Sequence, residues 1–207
     1  MELLLTLGEQ VQPAQTAVLV VDMQNDFCSP DGYLATARNY DVSYADGVAD
    51  AIGTLVNATR ARGATIVWVR SHYDFKYLAP PHIVKRREEG CCLEGSWGAD
   101  FYRLSPAPGD VMADKHRFSA FSGTDLDARL KAMGITTLIV TGVATNVCVD
   151  STLRDGFFAG FYIVVPSDCV GSNSRAGHEG TLATVRNNIG IVASSDEIIA
   201  ALQASPA

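Results

Sequence analysis

Four segments of this chain are continuously apolar and rich in β-branched residues: Thr16-Ala17-Val18-Leu19-Val20-Val21, Thr65-Ile66-Val67-Trp68-Val69, Thr137-Leu138-Ile139-Val140 and Tyr162-Ile163-Val164-Val165. A strand that faces water on one side alternates apolar with polar residues, so runs without alternation mark strands buried on both faces. Asp110-Val111-Met112-Ala113 and Gly190-Ile191-Val192 repeat the signature more weakly, giving six strands. Helical patterns lie between them. Val48, Ile52, Leu55, Val56 and Thr59 share one face between Ser43 and Arg62, and Gly63 stops that helix. Leu126, Leu130 and Met133 do the same from Thr124 to Met133, with Thr124 as cap and Gly134 past the end. Val149, Leu153 and Phe157 recur every four residues, and Ser194 with Glu197 forms a capping box before Ile198, Ile199 and Leu202. Strand and helix in alternation imply right-handed crossovers and a three-layer α/β/α fold around a doubly wound, mostly parallel, six-stranded sheet.

With 207 residues and 47% hydrophobic composition, the chain reads as one domain, residues 1–207 with a core at about 16–193. One stretch, residues 72–108, breaks the rhythm with Pro80-Pro81, a charged run, Cys91-Cys92 and Gly95-Ser96-Trp97-Gly98. Such an insertion is either a surface excursion packing a short helix or a lid. Lys85-Arg86-Arg87 is cancelled at once by Glu88-Glu89 and reads as a solvated face. Sixteen basic against twenty-three acidic residues, a net charge of −7, leave no basic stripe for nucleic acid. No apolar run approaches the roughly 20 residues that span a bilayer, and Met1-Glu2-Leu3-Leu4-Leu5 lacks a basic leader pattern, so a cytoplasmic protein is expected. The five cysteines are too few and unpatterned for a disulfide scaffold.

In open α/β sheets ligands bind at the carboxyl ends of the strands. There the first strand delivers Asp22, the second Arg70, Ser71 and His72, the third Asp114, Lys115 and His116, and the fourth the turn Gly142 to Cys148. Cys148 opens a helical stretch, where unpaired N–H groups and the dipole favour thiolate. Taken alone, a single cysteine is more often a small buried hydrophobe, and Asp22 also reads as a turn cap and Lys115 as a surface residue. Together they make a base, a cation and a nucleophile. Cys28, Cys91, Cys92 and Cys169 are read as bystanders. Dinucleotide, P-loop and serine-elbow motifs are missing, and no histidine or cysteine pair has metal-ligand spacing; no metal or cofactor is expected.

Three ordered stretches, Val20-Val21-Asp22-Met23-Gln24-Asn25-Asp26-Phe27, Lys115-His116-Arg117-Phe118-Ser119-Ala120-Phe121 and Thr141-Gly142-Val143-Ala144-Thr145-Asn146-Val147-Cys148-Val149, resemble the isochorismatase-like cysteine hydrolases. Gly95-Ser96-Trp97-Gly98-Ala99 and Val165-Pro166-Ser167-Asp168 extend the resemblance to nearly the whole chain. It implies Asp22, Lys115 and Cys148 as the catalytic triad. It also implies a cis peptide between Val143 and Ala144 that turns the Ala144 N–H beside that of Cys148 as an oxyanion hole. Asp22 would take the thiol proton and return it to the leaving nitrogen, with Lys115 steadying thiolate and acid.

Arg70-Ser71-His72-Tyr73-Asp74 departs from the metal-binding motif of nicotinamidases, whereas the stretch from Ala144 to Phe158 is most similar to ureidoacrylate amidohydrolases. The implied substrate is a small ureido, N-carbamoyl or linear amide compound. Phe27, Trp97 and Phe118 are candidate pocket walls, and Arg70, His72 or Arg117 candidate partners of a substrate carboxylate. The resemblance also implies a homodimer or homotetramer. Competing readings are a nicotinamidase-type or isochorismatase-type hydrolase, the latter needing no thiol, and a non-catalytic or redox-sensing domain on the same fold.

Overall fold

The structure, a computed structural model, describes residues 3–204. Met1 and Glu2 of the stretch read for a leader lie outside the described residues. The strands are β1 (Thr16–Val21), β2 (Thr65–Ser71), β3 (Val111–Lys115), β4 (Thr137–Val143), β5 (Tyr162–Pro166), β6 (Val170–Gly171) and β7 (Ile191–Ala193), every paired neighbour parallel. The sheet runs β3-β2-β1-β4-β5-β7. Those six are the expected strands. The seventh, β6, is two residues beside Gly142 and Val143 of β4, too short to leave a periodic trace.

The longer helices are α1 (Ala45–Ala61), α2 (Pro80–Arg86), α3 (Leu126–Ala132), α4 (Asp150–Phe158), α5 (Arg175–Asn188) and α6 (Ser195–Ala204). Alternate residues of one strand feed opposite cores. Ala17, Leu19 and Val21 pack with Leu126, Leu130, Leu153, Leu182 and Val185 of α3, α4 and α5. Val18 and Val20 pack with Val48, Ile52, Leu55, Ile198 and Leu202 of α1 and α6. Both strand faces are therefore dry, and each fully buried Val or Leu contributes about 1.5–3 kcal/mol. The helix stops and caps follow local chemistry: Gly63 takes φ 84° after α1, and Ser194 N–H donates to Glu197 Oε2 at 2.7 Å before α6. Three expectations shift. Asp125 rather than Thr124 occupies the cap of α3, with Thr124 Oγ1 accepting from Leu126 N–H at 3.4 Å. Met133 (46% exposed) and Phe157 (41%) sit at the far ends of their helices, where the face has rotated away from the sheet.

Strand order reverses between β1 and β4, which makes the crevice beyond Val21 and Val143 the expected ligand site. The two strands close tightly there. Gly142 has φ 107°, and a Cβ on it would lie 2.0 Å from the Val21 carbonyl oxygen, so no other residue fits.

The 72–108 segment carries its own elements. It holds short turns at Phe75–Tyr77 and Trp97–Ala99 and the helix α2, and its Tyr73, Leu78, Cys91, Cys92 and Ala99 form a third small core against Phe27, Tyr33, Phe75 and Ile83. The basic run is only partly solvated: the Arg86 guanidinium lies 3.5 Å from the centroid of the Tyr73 ring. No helix among the described residues is long and apolar enough to cross a membrane.

Candidate active site

At the carboxyl edge the strand order β3-β2-β1-β4 becomes a row of side chains: Lys115, Ser71, Asp22 and Cys148. Lys115, on the last residue of β3, is fully buried, as is Asp22, the residue after β1. Its Nζ donates to Asp22 Oδ2 at 2.7 Å, to Ser71 Oγ at 2.8 Å and to the Arg117 carbonyl at 3.0 Å. All three ammonium protons are thus committed. Ser71 Oγ in turn donates to Asp22 Oδ1 at 2.9 Å. Asp22 takes φ 54°, a left-handed kink that ends the strand and aims the carboxylate along the row. Burial alone would push the Lys115 ammonium down; the charge of Asp22 outweighs it and holds Lys115 above the ordinary lysine range.

The chain leaves β4 through the cis peptide Val143–Ala144 and enters a π-type turn, Thr145–Val149, that carries Cys148 and runs into α4. Turns of this kind recur at functional sites. The Ala144 carbonyl accepts from both Val147 N–H (3.0 Å) and Val149 N–H (3.3 Å). From α5 and its approach, His178 Nδ1 lies 2.9 Å from Thr145 Oγ1 and Ser172 Oγ donates to Asn146 Oδ1 at 2.7 Å. The turn is held at both of its first residues. Cys148 is 7% exposed. Burial pushes its thiol up to about 12, with Lys115 pulling the other way and Asp22 adding to the rise through its charge and a hydrogen bond. The helix-end argument for a resting thiolate is thus outweighed by desolvation. Burial thus favours the Cys148 thiol over its thiolate, so nucleophilic attack needs a base, and Asp22 is in place to be one.

Of the residues read from sequence, Asp22, Lys115 and Cys148 converge and Val143–Ala144 has the expected geometry. Phe27 packs edge-on against Tyr73, with ring centroids 6.3 Å apart. Arg117 contributes its backbone: its carbonyl accepts from Lys115, while Nη1 donates to the Tyr77 and His116 carbonyls at 3.0 and 2.8 Å. Trp97 and Phe118 are exposed, at 53% and 43%. Arg70, on β2, and His72, the residue after it, lie on the side away from the row, around Asp114. Arg70 makes a two-pronged ion pair with Asp114, at 2.9 and 3.2 Å, and His72 Nε2 is 3.8 Å from the same carboxylate.

Their neighbours Ser71 and Tyr73 face the row instead. Tyr73 is buried, with its hydroxyl 3.9 Å from Cys148 Sγ and 3.5 Å from the Arg117 carbonyl. The sequence places Ser71 at this edge without assigning it a role, and Tyr73 is not read as a site residue. The available signal was strand alternation: with Lys115 facing the row, the residue paired with it in register, Ser71, had to face it too. Asp26, Cys91 and Cys92 bring potential metal-binding atoms within 4.8 Å of one another. The Asp26 carboxylate already accepts from the Cys92 and Tyr33 N–H groups, which makes it a buried clasp between the Asn25–Cys28 turn and the 72–108 segment.

An isochorismatase-domain sequence profile matches residues 16–197. The chain is 43% identical over 173 residues to the ureidoacrylate amidohydrolase RutB of Cronobacter turicensis, a match covering 75% of this chain and 74% of that one. Among solved structures, a cysteine hydrolase from Pseudomonas syringae pv. phaseolicola superposes with a TM-score of 0.85 at 28% identity, covering 94% of this chain and 95% of the other. The N-carbamoylsarcosine amidase of Thermoplasma acidophilum superposes with a TM-score of 0.74 at 27% identity, covering 88% and 97%.

Proposed function

Because the chain belongs to the isochorismatase family, we propose that it is a cysteine hydrolase cleaving an amide or ureido C–N bond of a small molecule, with Cys148 as nucleophile, Asp22 as acid–base and Lys115 as the fixed cation. The observation that carries this is the buried row itself: a buried thiol lies beside a carboxylate pinned by a fully engaged ammonium.

Asp22 takes the Cys148 proton as Sγ bonds to the carbonyl carbon. Negative charge on the carbonyl oxygen is met by the Ala144 and Cys148 N–H groups. Asp22 then gives its proton to the nitrogen as the C–N bond breaks, releasing ammonia or an amine. Water, deprotonated by Asp22, attacks the thioester or thiocarbamate carbon, and Sγ leaves and regains a proton. The net reaction consumes one water.

The likeness to the ureidoacrylate amidohydrolase supports a ureido acid as the substrate class, and the Thermoplasma relative supports an N-carbamoyl compound of the same chemistry. The proposal extends to one catalytic domain, a homodimer or homotetramer, and a cytoplasmic location. Ammonia or amine release from ureidoacrylate, other ureido acids, N-carbamoyl amino acids and simple amides tests it, alongside a Cys148→Ala variant. Turnover of a ureido or N-carbamoyl compound by the wild type, abolished in the variant, is expected; wild-type rates in Cys148→Ala overturn the mechanism. Light scattering gives the assembly state.

A further inference from the structure

Lys115 and Asp22 belong to strands that are not neighbours. β2 lies between β3 and β1, so the lysine reaches the carboxylate only by passing over the last residue of β2. Strands two apart are separated by roughly 9–10 Å, a span a lysyl chain covers only over a small residue. That residue is Ser71, in register with Lys115 and fully buried. Its backbone is clamped independently of its side chain: the Gln24 amide accepts from Ser71 N–H at 2.8 Å and donates to the Ser71 carbonyl at 3.0 Å, replacing the strand partner lost where β1 ends.

The direction of the Ser71 hydroxyl is not free. An ammonium only donates, so Lys115 must give a proton to Ser71 Oγ, and the Ser71 proton is left to go to Asp22 Oδ1. Asp22 is then held at both oxygens, Oδ2 by Lys115 and Oδ1 by Ser71, which fixes the rotation of the carboxylate. We propose that Ser71 is a positioning residue for this site: through the chain Lys115 to Ser71 to Asp22 it sets the plane and the charge of the carboxylate that exchanges a proton with Cys148. This rests on the hydrolase reading above.

Without the Ser71 donor the carboxylate turns about its own bond and its charge is less well stabilised. Ser71→Ala therefore lowers kcat by about 10- to 100-fold, part of the 10²–10⁴ that acid–base groups supply, with KM little changed. It also displaces the acid limb of the pH profile upward. Ser71→Thr, which keeps the hydroxyl, recovers both.

The discriminating measurement needs no substrate: the rate of Cys148 alkylation by iodoacetamide against pH, read from the Cys148 peptide by mass spectrometry. Wild type, Asp22→Asn, Ser71→Ala and Ser71→Thr are compared. A Ser71→Ala profile displaced part of the way toward that of Asp22→Asn, and returned by Ser71→Thr, supports the assignment. If wild type and Asp22→Asn differ while Ser71→Ala follows wild type, Ser71 is mere filling and the assignment fails with the hydrolase reading intact. If wild type and Asp22→Asn coincide, Asp22 is not the base and both fall. Should Ser71→Ala not fold, Ser71→Cys, a weaker donor, takes its place and is expected to lie between wild type and Asp22→Asn; coincidence with wild type overturns the assignment.

Discussion

Lys115 is costly to place, because an ammonium with no exposed surface forfeits its hydration. It is tolerable only because three acceptors meet its three protons, one of them a buried carboxylate. Removing one partner should therefore hurt more than removing both. Lys115→Met leaves Asp22 as an uncompensated buried charge and is expected to destabilise the fold by about 3–5 kcal/mol. The double variant Lys115→Met with Asp22→Asn should be less destabilised than the sum of the single changes, since the stranded charge is gone. Urea unfolding of the three variants measures this; strictly additive losses would show that the two groups do not form a coupled pair. Exposed pairs such as Arg175 with Glu179 carry no such weight, and Arg175→Ala should leave the urea midpoint essentially unchanged.

At the scale of elements, the sheet was legible because burial on both faces erases alternation, which left Thr16–Val21 and Thr137–Val143 as unbroken apolar runs. Asp22, Lys115 and Cys148 were legible because each directly follows, ends or closely follows such a run. What the sequence could not supply is which face of β2 meets the row. That depends on register with β3, and a shift of one residue exchanges Arg70 and His72 for Ser71 and Tyr73. The opposition of Arg70 to Asp114 in the ladder settles the matter, and neither residue announces it alone. The 72–108 segment was ambiguous for another reason: its small core draws on Phe27 and Tyr33, far away in sequence. That core is a fraction of the two that flank the sheet, so the segment should open before they do. Hydrogen exchange is expected to deuterate the amides of Tyr73, bonded to Cys92 at 3.3 Å, and of Arg87 well ahead of those in β1 and β4. Simultaneous exchange would make the segment part of one cooperative unit with the sheet. Gly142→Ala tests the opposite end of this hierarchy. At φ 107° with a Cβ placed 2.0 Å from Val21 oxygen, it should cost well over about 1 kcal/mol and lower the melting temperature even though no side chain is lost.

Across the whole molecule, the buried thiols give stability a one-sided dependence on pH. Burial pushes Cys28, Cys92, Cys148 and Cys169 upward, Cys148 from 9.0 to about 12. Lys115 is also raised, by the charge of Asp22 against the opposing effect of burial. The sign is the same for all of them: the folded chain holds these protons more tightly than the unfolded chain. Below the ordinary thiol value the two states bind equal numbers of thiol protons and stability is fully present. Above it the unfolded chain ionises first, and stability is lost as pH rises from 9.0 toward about 12 for Cys148. Each such thiol contributes up to about 1.4 kcal/mol per pH unit to that slope. Unfolding free energies from urea titrations between pH 7 and about 11, in reductant, should be level at first and then fall steeply. Cys148→Ser should follow the same curve with a shallower alkaline limb, because serine does not ionise there. An identical slope in the two proteins would mean that the Cys148 thiol is not held protonated by the fold.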